Sequence, residues 1–293
     1  MRIADWAKAM IWTGILLPVM LGATTRPARF SEAGTDPQGF LTHTVECDYQ
    51  RGKTTVRVLL PKGLAKGKRY RVVYVLPVES ADGRRFGDGL AEIRKLGLHD
   101  KHKLICVYPT FSHVPWYADH PTDPAIRQES YLLNVVVPFV EKACPALARP
   151  EGRLLLGFSK SGWGAWSLLL RHPGVFGKAA AWDAPLTKAR PDAWGMKAVF
   201  GTQANFAKYH VPSLLRRAGG ALGRRPRLAL LGYGNFRAHH RAIHEKMLAL
   251  KVPHAYADGP RRRHHWAGGW LAEAVEFLAA RPVTRERPRS SRP

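Results

Sequence analysis

The residues with chemistry to offer converge on one short stretch, Gly157-Phe158-Ser159-Lys160-Ser161-Gly162, set between the apolar runs RLLLGF (153–158) and GWGAWSLLL (162–170). A serine hydroxyl becomes a nucleophile when a base stands beside it and N–H donors await the developing negative charge. A sharp strand-to-helix reversal exposes its central side chain over a helix N-terminus, where unpaired N–H groups and the dipole favour an anion. Such a turn is crowded and needs small neighbours, which Gly157, Ser161, Gly162, Gly164 and Ala165 supply. The pattern is G-x-S-x-G with Ser161 in place of the second glycine, and it selects Ser159. Centring it on Ser161 would put the Trp163 indole where only a small residue fits. The plain alternative is a serine that caps a helix; strand, glycines, serine and helix in this order favour the nucleophile.

A base is expected after the last strand and before the final helix, and DGPRRRHHWAGGWLAEAVEFL (258–278) carries His264 and His265 there. A third residue must orient the imidazole and balance its charge. The end of the strand before the histidines offers Asn235, which could hold the ring without balancing its charge. One strand earlier KAAAWD ends in Asp183, the preferred choice, with Asp258 and Asp192 as outsiders. The Lys160 N–H is one expected oxyanion donor. The second is expected just after RVVYVLP (71–77), where Pro77 has no N–H and Val78 or Glu79 must serve. Glu79, if inward, would contact substrate and oppose an oxyanion. In the loop FSHVPWYADHPTDP (111–124), Trp116 and Tyr117 are candidates to stack on a sugar or phenolic ring. His239, His240 and His244 fall on one helical run, but without an HExxH pattern no metal site is expected. Glycine-rich phosphate motifs are absent, and no cofactor is expected.

The elements that must position these residues follow from hydrophobic patterning. RVVYVLP, LICVYP, RLLLGF, KAAAWD, RLALLG and the weaker VPHAYAD are short apolar runs without alternation, as in strands covered on both faces. Helical patterns lie between most of them, so the fold class is α/β with a mainly parallel sheet flanked by helices. LTHTVECDY and TTVRVLLPKG are expected to form an antiparallel hairpin. Only about forty residues separate the Asp183 strand from the next, too few for a large lid domain.

Within the 293 residues, 1–23 are read as an export signal: Arg2 and Lys8 precede the uncharged AMIWTGILLPVMLGA, shorter than the roughly 20 residues of a bilayer span. Residues 24–40 are read as a linker, 41–280 as the folded domain and 281–293 as a basic disordered tail. No stable membrane span is expected after cleavage, and the localisation is periplasmic or extracellular. Cys47, Cys106 and Cys144 form neither a metal motif nor a disulfide framework. The formal charge of +24 is carried mainly by scattered arginines, which argues for attraction to anionic polymers rather than a dedicated nucleic-acid role.

These segments together resemble the esterase D and feruloyl esterase-like branch of the α/β-hydrolase superfamily over approximately residues 41–280. The likeness rests on RVVYVLP, on LLLGFSKSGWGAWSLLLRHPGVFGKAAAWD, and on HHWAGGWLAEAVEFL, where a His-x-Trp is followed by a second Trp. That spacing favours His264 over His265. The resemblance implies an α/β-hydrolase fold, and a serine hydrolase acting on a small-molecule or glycan ester without cofactor. Relatives carry His-Gly and further glycines where this chain has Pro77-Val78-Glu79-Ser80-Ala81. That departure keeps a second class open, a non-catalytic ligand- or glycan-binding protein on the same scaffold. A third reading is a basic envelope protein.

Overall fold

The computed structural model describes residues 26–280; the expected signal segment and basic tail lie outside them. One sheet of 10 strands organises the chain. Its strands are β1 (Arg29–Phe30), β2 (Gly34–Thr35), β3 (Leu41–Glu46), β4 (Lys53–Leu59), β5 (Arg71–Val75), β6 (Leu104–Pro109), β7 (Arg153–Phe158), β8 (Lys178–Trp182), β9 (Leu228–Tyr233) and β10 (His254–Arg261). They lie in the order β1-β3-β4-β6-β5-β7-β8-β9-β10, with β2 paired to β3. The expected hairpin is β3 with β4, and β4 also runs antiparallel to β6. From β6 to β10 every neighbour is parallel.

Parallel neighbours need crossovers, and helices supply them. They are α1 (Gly89–Lys95), α2 (Leu98–His102), α3 (Gln128–Tyr131), α4 (Val137–Ala143), α5 (Ser159–Arg171), α6 (Met196–Phe200), α7 (Gln203–Ala207), α8 (Val211–Ala218), α9 (Arg237–Ala249) and α10 (Leu271–Ala279). Because strand side chains alternate between faces, Val72 and Tyr74 enter one core while Val73 and Val75 enter the other. Trp163, Trp166 and Leu169 of α5 fill the first core with Ile243 and Met247 of α9. Leu90 of α1 and Leu271, Val275 and Leu278 of α10 fill the second. Unbroken apolar strands are what such double coverage requires, so the α/β-hydrolase class expected from the sequence is the architecture observed.

One feature differs from expectation. Residues 29–40 are not a free linker: β1 and β2 pair with β3, and Phe40 is buried. Arg57, itself buried, explains the anchoring, since it donates to Asp36 (2.8 Å), Gln38 (2.6 Å) and Asp88 (2.8 Å) and lies over the Phe40 ring. The segment between β8 and β9 is no lid, as its length led us to expect. Its Phe200, Phe206, Leu214 and Leu215 belong to the first core, which leaves the carboxyl ends of the strands uncapped by any separate domain. Among the described residues no helix is long and apolar enough to cross a membrane. Cys106 and Cys144 are buried, Cys47 half-buried, and none of the three is bridged.

Candidate active site

β7 delivers the chain into α5 through Ser159, whose φ of +53° lies in the left-handed region that a non-glycine residue enters only under constraint. The constraint is visible on both sides. A Cβ on Gly157 would stand 2.3 Å from the Ser161 carbonyl oxygen, and one on Gly162 would stand 2.9 Å from Ala184 Cβ. Ser161 is buried and its hydroxyl is engaged twice, accepting from the Phe158 N–H (3.0 Å) and donating to the Phe158 carbonyl (2.9 Å). Ser161 therefore locks the turn, and Ser159, expected to stand exposed, is itself buried with 6% exposure.

At the end of β8, Asp183 also takes a left-handed conformation, φ +43°. Its carboxylate is 1% exposed and fully engaged. Oδ1 accepts the N–H groups of Asn235 (2.7 Å) and Phe236 (2.8 Å), and Oδ2 accepts Nδ1–H of His264 at 2.5 Å. Burial pushes the carboxyl upward, but the His264 bond and the N–H groups of Gly234, Asn235 and Phe236 outweigh it and hold the pKa below the usual carboxylate value. Gly234 must be glycine for this approach, since a Cβ there would meet Asp183 Oδ2 at 2.6 Å. Asn235 thus contributes its backbone and not its amide.

With Nδ1 committed to Asp183, the His264 ring keeps Nε2 for other work. The ring packs edge-on against Phe158, the residue preceding Ser159, with centroids 5.1 Å apart, and against Phe86 at 5.2 Å and Phe236 at 5.9 Å. No hydrogen bond joins Ser159 to His264 among the described residues; the ring contact is with Phe158, the residue before the serine. His265 turns away. Its Nδ1 accepts from the Ala267 N–H (3.0 Å) and its ring covers Gly87, where a Cβ would stand 2.4 Å from Cε1. Of the outsiders, Asp258 pairs with Arg237 and Arg241, and Asp192 with Lys188.

Lys160 is the second residue of α5, so its N–H has no intrahelical acceptor. Burial holds its ammonium below the usual lysine pKa; nearby Glu79 opposes this and Arg85 adds to it. Val78 is buried, and its N–H meets no acceptor among the described residues. Glu79 is half-buried and directed at its own loop, where Oε2 accepts from the Phe86 N–H at 3.4 Å. Trp116 and Tyr117 are a correction: both are 0% exposed and neither can stack on a ligand. Their loop folds inward because the buried Gln128 side chain accepts both of their N–H groups, at 2.8 Å each.

The aromatic residues that do border His264 are Phe86 and Phe236, and Phe236 is in edge contact with Trp194, which is 50% exposed. Phe86 and Phe236 stand in the loops after β5 and β9, at strand carboxyl ends, where ligand sites of open α/β sheets collect. That position was the available signal for them; Trp194 carried none. Of the helix histidines, His240 is buried and its Nε2 accepts the Ala184 N–H at 2.8 Å, while His239 bonds Thr187 and His244 bonds His254. Each is used inside the fold.

Comparison with known proteins bears on the family and the fold. Residues 49–225 match the family described as "Putative esterase". Two curated Mycobacterium tuberculosis proteins, Esterase Rv1288 and Esterase MT1326, are each 26% identical over 142 residues, 46% of this chain; the match spans 30% of their length. Among solved structures, the fluorophosphonate-binding serine hydrolase F of Staphylococcus aureus superposes with a TM-score of 0.67 at 16% identity, covering 87% of this chain and 100% of that one. An S-formylglutathione hydrolase from Agrobacterium tumefaciens gives 0.64 at 15% identity over 85% and 98% of the two chains. A ferulic acid esterase gives 0.64 at 18% identity over 82% and 96%. At such identities the likeness establishes the fold, while the family match extends over more than half of the sequence. The chain belongs to the "Putative esterase" family and has an α/β-hydrolase fold.

Proposed function

We propose that the chain is an exported serine esterase that cleaves a carboxylic ester through an acyl-enzyme. The observation that carries this reading is the 2.5 Å bond from His264 to Asp183, in a ring packed on Phe158, the residue that precedes a serine held at φ +53°. Ser159 Oγ attacks the ester carbonyl as His264 Nε2 takes its proton, the hydrogen bond between them closing as substrate enters. The oxyanion is received by the N–H groups of Lys160 and Val78. His264 then protonates the leaving alcohol, and water, activated by the same imidazole, releases the acid and restores Ser159. Asp183, ionised and dry, stabilises the imidazolium at each stage.

The substrate class we favour is an acylated carbohydrate or similar small ester. Trp194, half-exposed and reached from His264 through Phe236, offers a flat apolar surface to a sugar or aryl ring beside the reacting centre. The apolar segment behind Arg2 and Lys8 supports export. The binding-protein reading keeps its motive in the oxyanion loop, where Pro77-Val78-Glu79-Ser80-Ala81 stands in place of glycines; the Asp183 carboxylate beside His264 supports the enzyme reading despite Asn235. Hydrolysis of short-chain p-nitrophenyl esters and of acetylated oligosaccharides tests the reading. Turnover by the purified chain and its loss in Ser159→Ala are expected; wild-type turnover that survives in Ser159→Ala contradicts it. Recovery of the intact leader sequence in the cytoplasmic fraction would contradict export.

A further inference from the structure

Tyr117 has a role that its burial makes possible. Its backbone is left-handed, φ +57°, and the bonds from the Trp116 and Tyr117 N–H groups to Gln128 Oε1 carry the ring into the protein. Gln128 is itself buried and donates Nε2 to the Val114 carbonyl at 3.1 Å, so the seat is fixed from both ends. The ring is wedged against the helix of the nucleophile: a Cβ on Gly164 would lie 2.0 Å from Tyr117 Cδ2. From there the phenol reaches across to the oxyanion loop and donates Oη–H to the Pro77 carbonyl at 2.5 Å. Burial pushes the phenol pKa well above its usual value, so the donor keeps its proton wherever the fold survives.

The Pro77 carbonyl and the Val78 N–H belong to one peptide unit. That peptide is trans, so the two groups point in opposite directions. The last ladder bond of this strand is Leu76 N–H to Leu156, and Pro77 has no N–H with which to continue it. Beyond Leu76, Tyr117 is what fixes the rotation of the peptide whose N–H would face an oxyanion.

We propose that Tyr117 is a positioning residue that aims the Val78 N–H, tying the oxyanion loop to the helix that carries Ser159. The proposal rests on the serine-esterase reading above. It also gives a reason for Pro77: the missing glycines of the loop are replaced by a peptide held from outside by a phenol.

The test compares wild type with Tyr117→Phe, which deletes only the hydroxyl, using p-nitrophenyl acetate and a methyl trifluoromethyl ketone that forms a tetrahedral oxyanion adduct with a serine. Rates are normalised to sites titrated with a fluorophosphonate. Loss of a whole oxyanion donor costs about 10²–10³ in rate, so misaiming one should cost about 10–100-fold in kcat with KM changed less than about twofold. The ketone inhibition constant should rise by the same factor as kcat/KM falls. A purely structural role would lower the titratable fraction and leave both constants unchanged per site. Gly164→Ala, which pushes on the same ring while keeping the hydroxyl, should give the same paired change and serves if Tyr117→Phe folds poorly. Wild-type values of kcat/KM and of the ketone constant in the titrated Tyr117→Phe enzyme would overturn the proposal while leaving the esterase reading intact. A folded wild type that forms no ketone adduct would overturn both.

Discussion

Replacing Asp183 by Asn separates orientation of the histidine from the presence of a polar group beside it. In the native site Oδ1 accepts two backbone N–H groups, from Asn235 and Phe236, while Oδ2 accepts one proton from His264. An asparagine amide has a single oxygen. Turning its NH2 toward Asn235 and Phe236 would leave two buried N–H groups unpaired, at about 1–3 kcal/mol each. The oxygen therefore stays with the backbone and the NH2 faces His264 Nδ1. The imidazole must then accept at Nδ1 and carry its proton on Nε2, the tautomer that cannot take a proton from Ser159. A wrongly protonated imidazole costs about 10⁴ in kcat, or about 5.4 kcal/mol of transition-state stabilisation. Because volume and backbone bonds are retained, the thermal midpoint should move little. The assay is p-nitrophenyl acetate hydrolysis normalised to folded protein, with the circular dichroism melt alongside. Retention of more than about a tenth of wild-type kcat in Asp183→Asn would refute the assignment of Asp183 as the partner that sets the tautomer.

His240 should make the fold acid-sensitive. Burial lowers its pKa to about 4 from an unfolded value of 6.5, so between those limits the unfolded chain binds the extra proton and stability falls as pH drops. The contribution is complete above pH 6.5, and its full loss is about 3 kcal/mol. Urea midpoints at pH 7.5 and 4.5 should show much of this in wild type and not in His240→Gln, whose carbonyl can still accept the Ala184 N–H; equal pH dependence in the two proteins would contradict it. Arg57→Met leaves the largely covered carboxylate of Asp36 without its cation and that of Asp88 with only the more distant Arg84 at 3.9 Å, and should cost about 3–5 kcal/mol in urea unfolding at neutral pH. A loss below about 1 kcal/mol would mean that residues 29–40 are not anchored there. Trp194→Ala should raise KM for aryl and sugar esters about tenfold, with little change for ethyl acetate, if the exposed indole receives a ring; equal effects on all three would exclude it.

How far the sequence was legible depends on whether a feature is repeated or unique. The parallel sheet is written redundantly in runs such as RLLLGF and KAAAWD, because strands buried on both faces admit no polar alternation. The elbow was legible because its crowding excludes Trp163 from the position that Ser161 can fill. Asp183 was preferred over Asn235 on charge, and the two proved complementary, one giving its carboxylate and the other its backbone N–H. The strands in residues 29–40 were not legible: RF and GT carry no period, and what holds the segment is a buried arginine contributed by another strand. Trp116 and Tyr117 were misread because a long loop of aromatic and polar residues looks alike whether it faces solvent or core. The deciding bonds come from Gln128, eleven residues beyond Tyr117, which no local pattern marks.

The central claim is a nucleophile at Ser159, and intact-mass and peptide mass spectrometry after reaction with a fluorophosphonate tests it most directly. One adduct per folded chain, on the peptide containing Ser159, abolished in Ser159→Ala and retained in a folded Ser161→Ala, is the expected result. A folded wild type that takes up no label, or an adduct that maps to Ser161 or outside this turn, would contradict it.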